Sequence, residues 1–66
     1  MQIKLDSKNN AMYIRFTNST IVESEEIKTG IIIDYDDKNA VVGIEILDLN
    51  KHFPDADLEN VQIDTF

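Results

Sequence analysis

The sequence predicts an α+β fold that is mainly β, a small antiparallel β-meander of about four strands with one short C-terminal helix. Three observations predict it. Apolar and polar residues alternate over residues 2–16, the period of a strand with one buried face. Two runs rich in β-branched residues flank a short polar break between residues 30 and 48, the pattern of a β-hairpin. Only one later segment, around Leu49 and Phe53, sets large apolar residues four apart, as a helix face does.

Residues 2–6 form the first expected strand, with Ile3 and Leu5 on one face and Gln2, Lys4 and Asp6 on the other. Ser7, Lys8, Asn9 and Asn10 make a turn in which the Asp6 carboxylate bonds backbone amides. The second strand covers 11–16. If Asp6 pairs with Ala11, then Leu5 falls opposite Met12, Ile3 opposite Ile14, Lys4 opposite Tyr13 and Gln2 opposite Arg15. A slip by one residue destroys this partition, so the register is specified.

After a polar connection at 17–20, residues 21–27 carry Glu23, Glu25 and Glu26 between apolar ends. An edge strand accounts for them, because charge along an edge discourages pairing with other chains; a solvated loop is the alternative. Gly30 breaks the chain before a hairpin of strands 31–36 and 40–47. Its turn, Asp36-Asp37-Lys38-Asn39, suits type I geometry followed by Asn39 in the left-handed region, leading into a bulge. Pairing Asp36 with Ala40 puts Ile32, Val42, Ile44 and Ile46 on one face with Asp34 and Asp36. Ile31, Ile33, Tyr35, Val41 and Leu47 then share the other with Gly43 and Glu45. Both faces of this hairpin read as apolar, and both require cover.

Asp48 is the expected N-cap of a helix over 49–53 that stops near Pro54. Leu49 and Phe53 close over one face of the sheet. Residues 55–60 are read as a second helical turn, and 61–66 as a late strand or a loose tail.

The whole chain of 66 residues reads as one small domain. A domain of this size buries only about 60% of its unfolded surface. It has no cysteine, hence no disulfide and no Cys/His zinc cluster, so oligomerisation is the support that remains. The net charge of −7 repels phosphate and anionic lipid, which argues against binding nucleic acid or membrane by itself. Residues 1–6 lack the apolar core of a signal peptide, and a cytoplasmic location is expected.

Carboxylates are the abundant chemical groups. Asp34, Asp36 and Asp37 gather at the hairpin tip, but a calcium loop needs glycine at its sixth position and glutamate at its twelfth. Counting from Asp34, the sixth is Asn39. Asp55, Asp57 and Glu59 fail in the same way, with Asn60 sixth and Phe66 twelfth. Turn chemistry and solubility explain both groups, so no metal site and no cofactor are expected. His52 is the sole histidine, without a second ligand spaced for it. No phosphate loop or nucleophile elbow is present, and the expectation is a protein that is not an enzyme. A metal-dependent catalyst using Asp34, Asp36, Glu45 or His52 is the remote alternative. Tyr13 and Arg15 share the outer face of the second strand, either as an interface anchor or as ordinary cross-strand packing.

Over residues 6–16 and 30–48 the chain resembles the small bacterial and archaeal proteins grouped as domain of unknown function 2283. Those typically read Y-D-x-x-x-D-A-L-Y-I-x-L, then a strand with alternating glutamates, then G-I-x-x-D-Y-D-x-x-G-x-V-V-G-I-E-I-L-D. The matches here are Asp6, Ala11, Tyr13 and Ile14, then Glu23, Glu25 and Glu26. They continue through Gly30, Ile31, Asp34, Tyr35 and Asp36 to the run from Val41 to Asp48. Leu5, Asn10, Met12 and Asn39 depart from the pattern. The resemblance covers about residues 3–54 and implies a small antiparallel sheet with a helix, without an assigned activity. Some members are encoded beside small toxin-like proteins, which implies an antitoxin role for part of the family.

The expected function is that of a non-enzymatic protein-interaction domain, acting as a homodimer or within a complex. The alternative is an acidic antitoxin that neutralises a small basic toxin by charge complementarity. The candidate interaction surface comprises Tyr13, Arg15, Ile31, Ile33, Tyr35, Val41 and Val42.

Overall fold

A computed structural model describes residues 1–65; Phe66, the aromatic end of the expected tail, lies outside the described residues. Five strands form one antiparallel sheet: β1 (Gln2–Asp6), β2 (Ala11–Arg15), β3 (Glu23–Lys28), β4 (Ile31–Tyr35) and β5 (Val41–Ile46). They lie in the order β1-β2-β5-β4-β3. The glutamate-rich segment therefore enters the sheet as a full edge strand.

The β1–β2 hairpin has the expected register, with Asp6 opposite Ala11, Leu5 opposite Met12 and Ile3 opposite Ile14. Its turn is held by Asp6, which accepts from the Asn9 amide at 3.1 Å and the Asn9 side chain at 2.8 Å. The β4–β5 turn also matches expectation. Asn39 sits at φ 62°, and the Asp36 amide donates to the Ala40 carbonyl at 3.0 Å. One Asp36 carboxylate oxygen accepts from the Lys38 and Ala40 amides, both at 2.9 Å.

Beyond that turn the expected face partition fails. Tyr35 pairs with Val41 and Asp34 with Gly43, so the ladder shifts by one residue between them. Val42 is the extra residue of a β-bulge. The shift places Ile33 opposite Ile44 and Ile31 opposite Ile46, whereas continuous pairing from Asp36 and Ala40 assigned those pairs to opposite faces. The sheet is consequently apolar on one side and largely polar on the other.

α1 (Leu49–His52) is a single turn. Asp48 occupies the expected N-cap position at φ 51° but makes no side-chain cap. Its carbonyl instead accepts from the Lys51 and His52 amides. The Leu49 amide donates to the Asn10 carbonyl at 2.8 Å, and the Leu47 amide to the Gly30 carbonyl at 2.7 Å. These bonds seat α1 at the end of the sheet that carries the β1–β2 and β3–β4 turns. Residues 55–60 form turns and no helix, with Asp57 accepting from the Glu59 amide and the Asn60 side chain. Residues 61–65 form no strand.

Among the described residues the buried apolar side chains are Val42 and Leu49, 0% and 2% exposed. Domains ordinarily pack two layers around a core; this one is essentially a single layer, 35 × 31 × 20 Å in extent. Its radius of gyration, 12.8 Å, exceeds the roughly 10.8 Å of a compact chain of this length. Among the described residues no helix is long and apolar enough to cross a membrane.

Candidate interaction surface

The registers of four strands line up residue by residue. Ile3, Ile14, Ile44 and Ile33 are successive partners across β1, β2, β5 and β4. Leu5, Met12, Ile46 and Ile31 form a second row beside the first. Partners in register share a face, so eight aliphatic side chains make one surface two rows deep and four strands wide. None of the eight is buried, and Ile3 is 42% exposed. On β3 the first row ends at Glu25, opposite Ile33, and the second at Lys28, opposite Ile31. A bulge at Ile27 separates these two pairings and brings Lys28 onto the face of Glu25.

The opposite face is built from different chemistry. One row runs Lys4, Tyr13, Glu45, Ile32 and Glu26; the other runs Gln2, Arg15, Gly43, Asp34 and Ser24. Tyr13 lies against Gly43, because a Cβ added to that glycine would sit 2.8 Å from the Tyr13 hydroxyl and 2.7 Å from the Ile14 carbonyl oxygen. The hydroxyl is buried without a hydrogen-bond partner. Arg15 is turned onto its own chain, its guanidinium donating to the carbonyls of Thr17 at 2.9 Å and Ser19 at 2.7 Å.

The sequence-derived surface residues are therefore divided. Ile31, Ile33, Tyr35 and Val41 belong to the apolar side, Tyr35 and Val41 being partners. Tyr13 and Arg15 lie on the polar side. Val42 has no exposed surface and is a core residue, a correction that follows from the bulge. Six members of the two rows were absent from that candidate set: Ile3, Leu5, Met12, Ile14, Ile44 and Ile46. Their alternation was legible, but it reads equally as a face covered from within the chain.

The acidic residues are engaged in building turns and edges. Asp34 is 6% exposed and accepts from the Ser24 hydroxyl at 2.6 Å, while Asp36 holds the hairpin turn. The Asp6 carboxyl is lowered below its ordinary 3.8, first by the Asn9 side chain and then by the Asn9 amide. Asp57 is lowered likewise by the Asn60 side chain and the Glu59 amide. Among the described residues no group of three acidic, histidine or cysteine side chains is placed to hold a metal ion. His52 lies beside Gly30, its Nε2 3.0 Å from where a Cβ would sit on that residue. Gly30 is at φ 81°, a backbone conformation that favours glycine, and a side chain there would also crowd the imidazole and the Leu47 carbonyl oxygen. A hollow of about 190 Å³ on the polar side is bordered by Lys4, Asp6, Ala11, Met12, Tyr13 and Glu45.

No curated protein and no solved structure matches the chain. A family model does match, and its span of residues 2–50 includes the five strands, the Val42 bulge and the start of α1. On that match the chain belongs to the family described as Protein of unknown function (DUF2283).

Proposed function

We propose that this protein is a non-enzymatic protein-interaction domain, and that the aliphatic face of its sheet is the binding surface. The observation that carries this reading is the double row of eight aliphatic residues, none of them buried, on a domain whose covered apolar side chains, among the described residues, are Val42 and Leu49. Contiguous apolar surface of that kind marks an interaction site on a folded protein. A strand edge is a poor alternative, because β3 exposes Glu23, Glu25 and Glu26 along its length, and edge charge opposes strand addition.

The same exposed glutamates, with the net charge of −7, support a second reading in which a basic protein docks on the β3 side, as an antitoxin would hold its toxin. The two readings separate by cross-linking in cells at native abundance, followed by mapping of the protected residues. Protection of Ile14 and Ile44 is expected for the first reading, and protection confined to β3 for the second. Recovery of the protein as a free monomer with both surfaces unprotected would overturn both.

A further inference from the structure

We propose that the aliphatic face is covered by a second copy of this chain, the two sheets packing face to face about a two-fold axis that runs across the strands, between the two rows. This rests on the reading of that face as the binding surface and names its occupant.

The first support is area. The chain exposes 5255 Å² at a mass of 7.6 kDa, against about 4,300 Å² for a compact monomer of that mass. The surplus, about 1,000 Å², is comparable to the roughly 800 Å² that each partner buries in a standard interface. Part of it belongs to the exposed residues 55–65. That segment is not the missing cover, because Val61 and Ile63 are themselves 58% and 71% exposed.

The second support is the charge at the ends of the rows. A two-fold axis parallel to the rows and midway between them lays each row over the other row of the second copy. Like strands then face like strands. Ile14 and Ile44 meet the partner's Met12 and the partner's Ile46, and Glu25 comes opposite the partner's Lys28. The reciprocal pair forms by symmetry, as in any isologous contact. Sheets packed in this way lie about 10 Å apart with strands roughly aligned, a gap that these long side chains span at the rim. An axis along the strands brings no such pairing, because it carries β3 over a different strand of the second copy. The surface is thus self-complementary in its apolar centre and in its charged end.

Sedimentation equilibrium of the full chain tests the proposal. The unmodified protein should sediment at twice its chain mass, and Ile14→Glu should sediment as a folded monomer. Because Ile14 lies in a central strand, the decisive variants are on the exposed edge. Lys28→Glu should weaken dimerisation at least tenfold, and adding Glu25→Lys should restore it. A folded monomer at submillimolar concentration would overturn the proposal, as would a dimer indifferent to Lys28→Glu. In the monomer case, a soluble paramagnetic probe separates the two failures. If the Ile14 and Ile44 methyl groups are accessible, only the occupant is wrong. If they are protected, the chain covers its own face, and the binding-surface reading falls as well.

Discussion

Gly43 is the residue whose side chain, or lack of one, has the clearest cost. A methyl group there meets the Ile14 carbonyl oxygen at 2.7 Å as well as the Tyr13 hydroxyl, and backbone in a central strand yields less readily than a ring. Gly43→Ala should therefore destabilise the domain by about 1–3 kcal/mol, read as a lower urea midpoint with an unchanged slope. Asp6 acts through its charge. Its folded pKa is depressed below 3.8, so the stability it contributes is present above that value and is lost as pH falls through the folded pKa. The unfolding midpoint should fall along that acid limb in the unmodified protein, and the Asp6-dependent part of the fall should vanish in Asp6→Asn.

At the scale of elements, what could be read from the chain differs between the two hairpins for a physical reason. In β1–β2, strict alternation and a turn of fixed length leave one register in which Ile3, Leu5, Met12 and Ile14 agree. In β4–β5, Val41 and Val42 are both β-branched and apolar, so neither announces itself as the bulged residue, and the partition came out on the wrong faces. Asp48 stands at the N-cap as its residue type suggests, but with a left-handed backbone and no side-chain capping bond, which residue type alone does not reveal. The single turn of α1 has no stability of its own and depends on the burial of Leu49, which is 2% exposed. Leu49→Ala should cost about 2–5 kcal/mol. Because the Leu49 amide binds Asn10, faster hydrogen exchange should appear in the β1–β2 turn as well as in α1.

For the whole molecule, a single sheet with one short helix leaves net stability near the lower end of the ordinary range of about 5–15 kcal/mol. A second copy that binds only the folded chain adds to it by mass action. The thermal midpoint should accordingly rise with protein concentration in the unmodified protein and become concentration-independent in Ile14→Glu, as differential scanning calorimetry would show. The candidate surface was half legible at this scale. Ile31, Ile33, Tyr35 and Val41 were placed on it from the sequence. The other aliphatic residues alternate just as a covered core does, since periodicity reports which residues share a face and is silent on what lies over it.

The bulge at Val42 makes the position of a length change matter more than its size. In a strand, successive residues alternate like odd and even numbers, and the extra residue changes that parity between the hairpin turn and Gly43. An in-frame loss of codon 42 would remove the bulge and leave Asp34 opposite Gly43 and Ile33 opposite Ile44, at the cost of the buried Val42 side chain, whereas loss of codon 44 would bring Glu45 opposite Ile33 and Ile46 opposite Ile32. Loss of a codon between 55 and 60, where no strand is paired, leaves that parity untouched. Deletions in this family should therefore be tolerated in the tail, and within β5 they should be counter-selected beyond the bulge more strongly than at one of the two neighbouring valines.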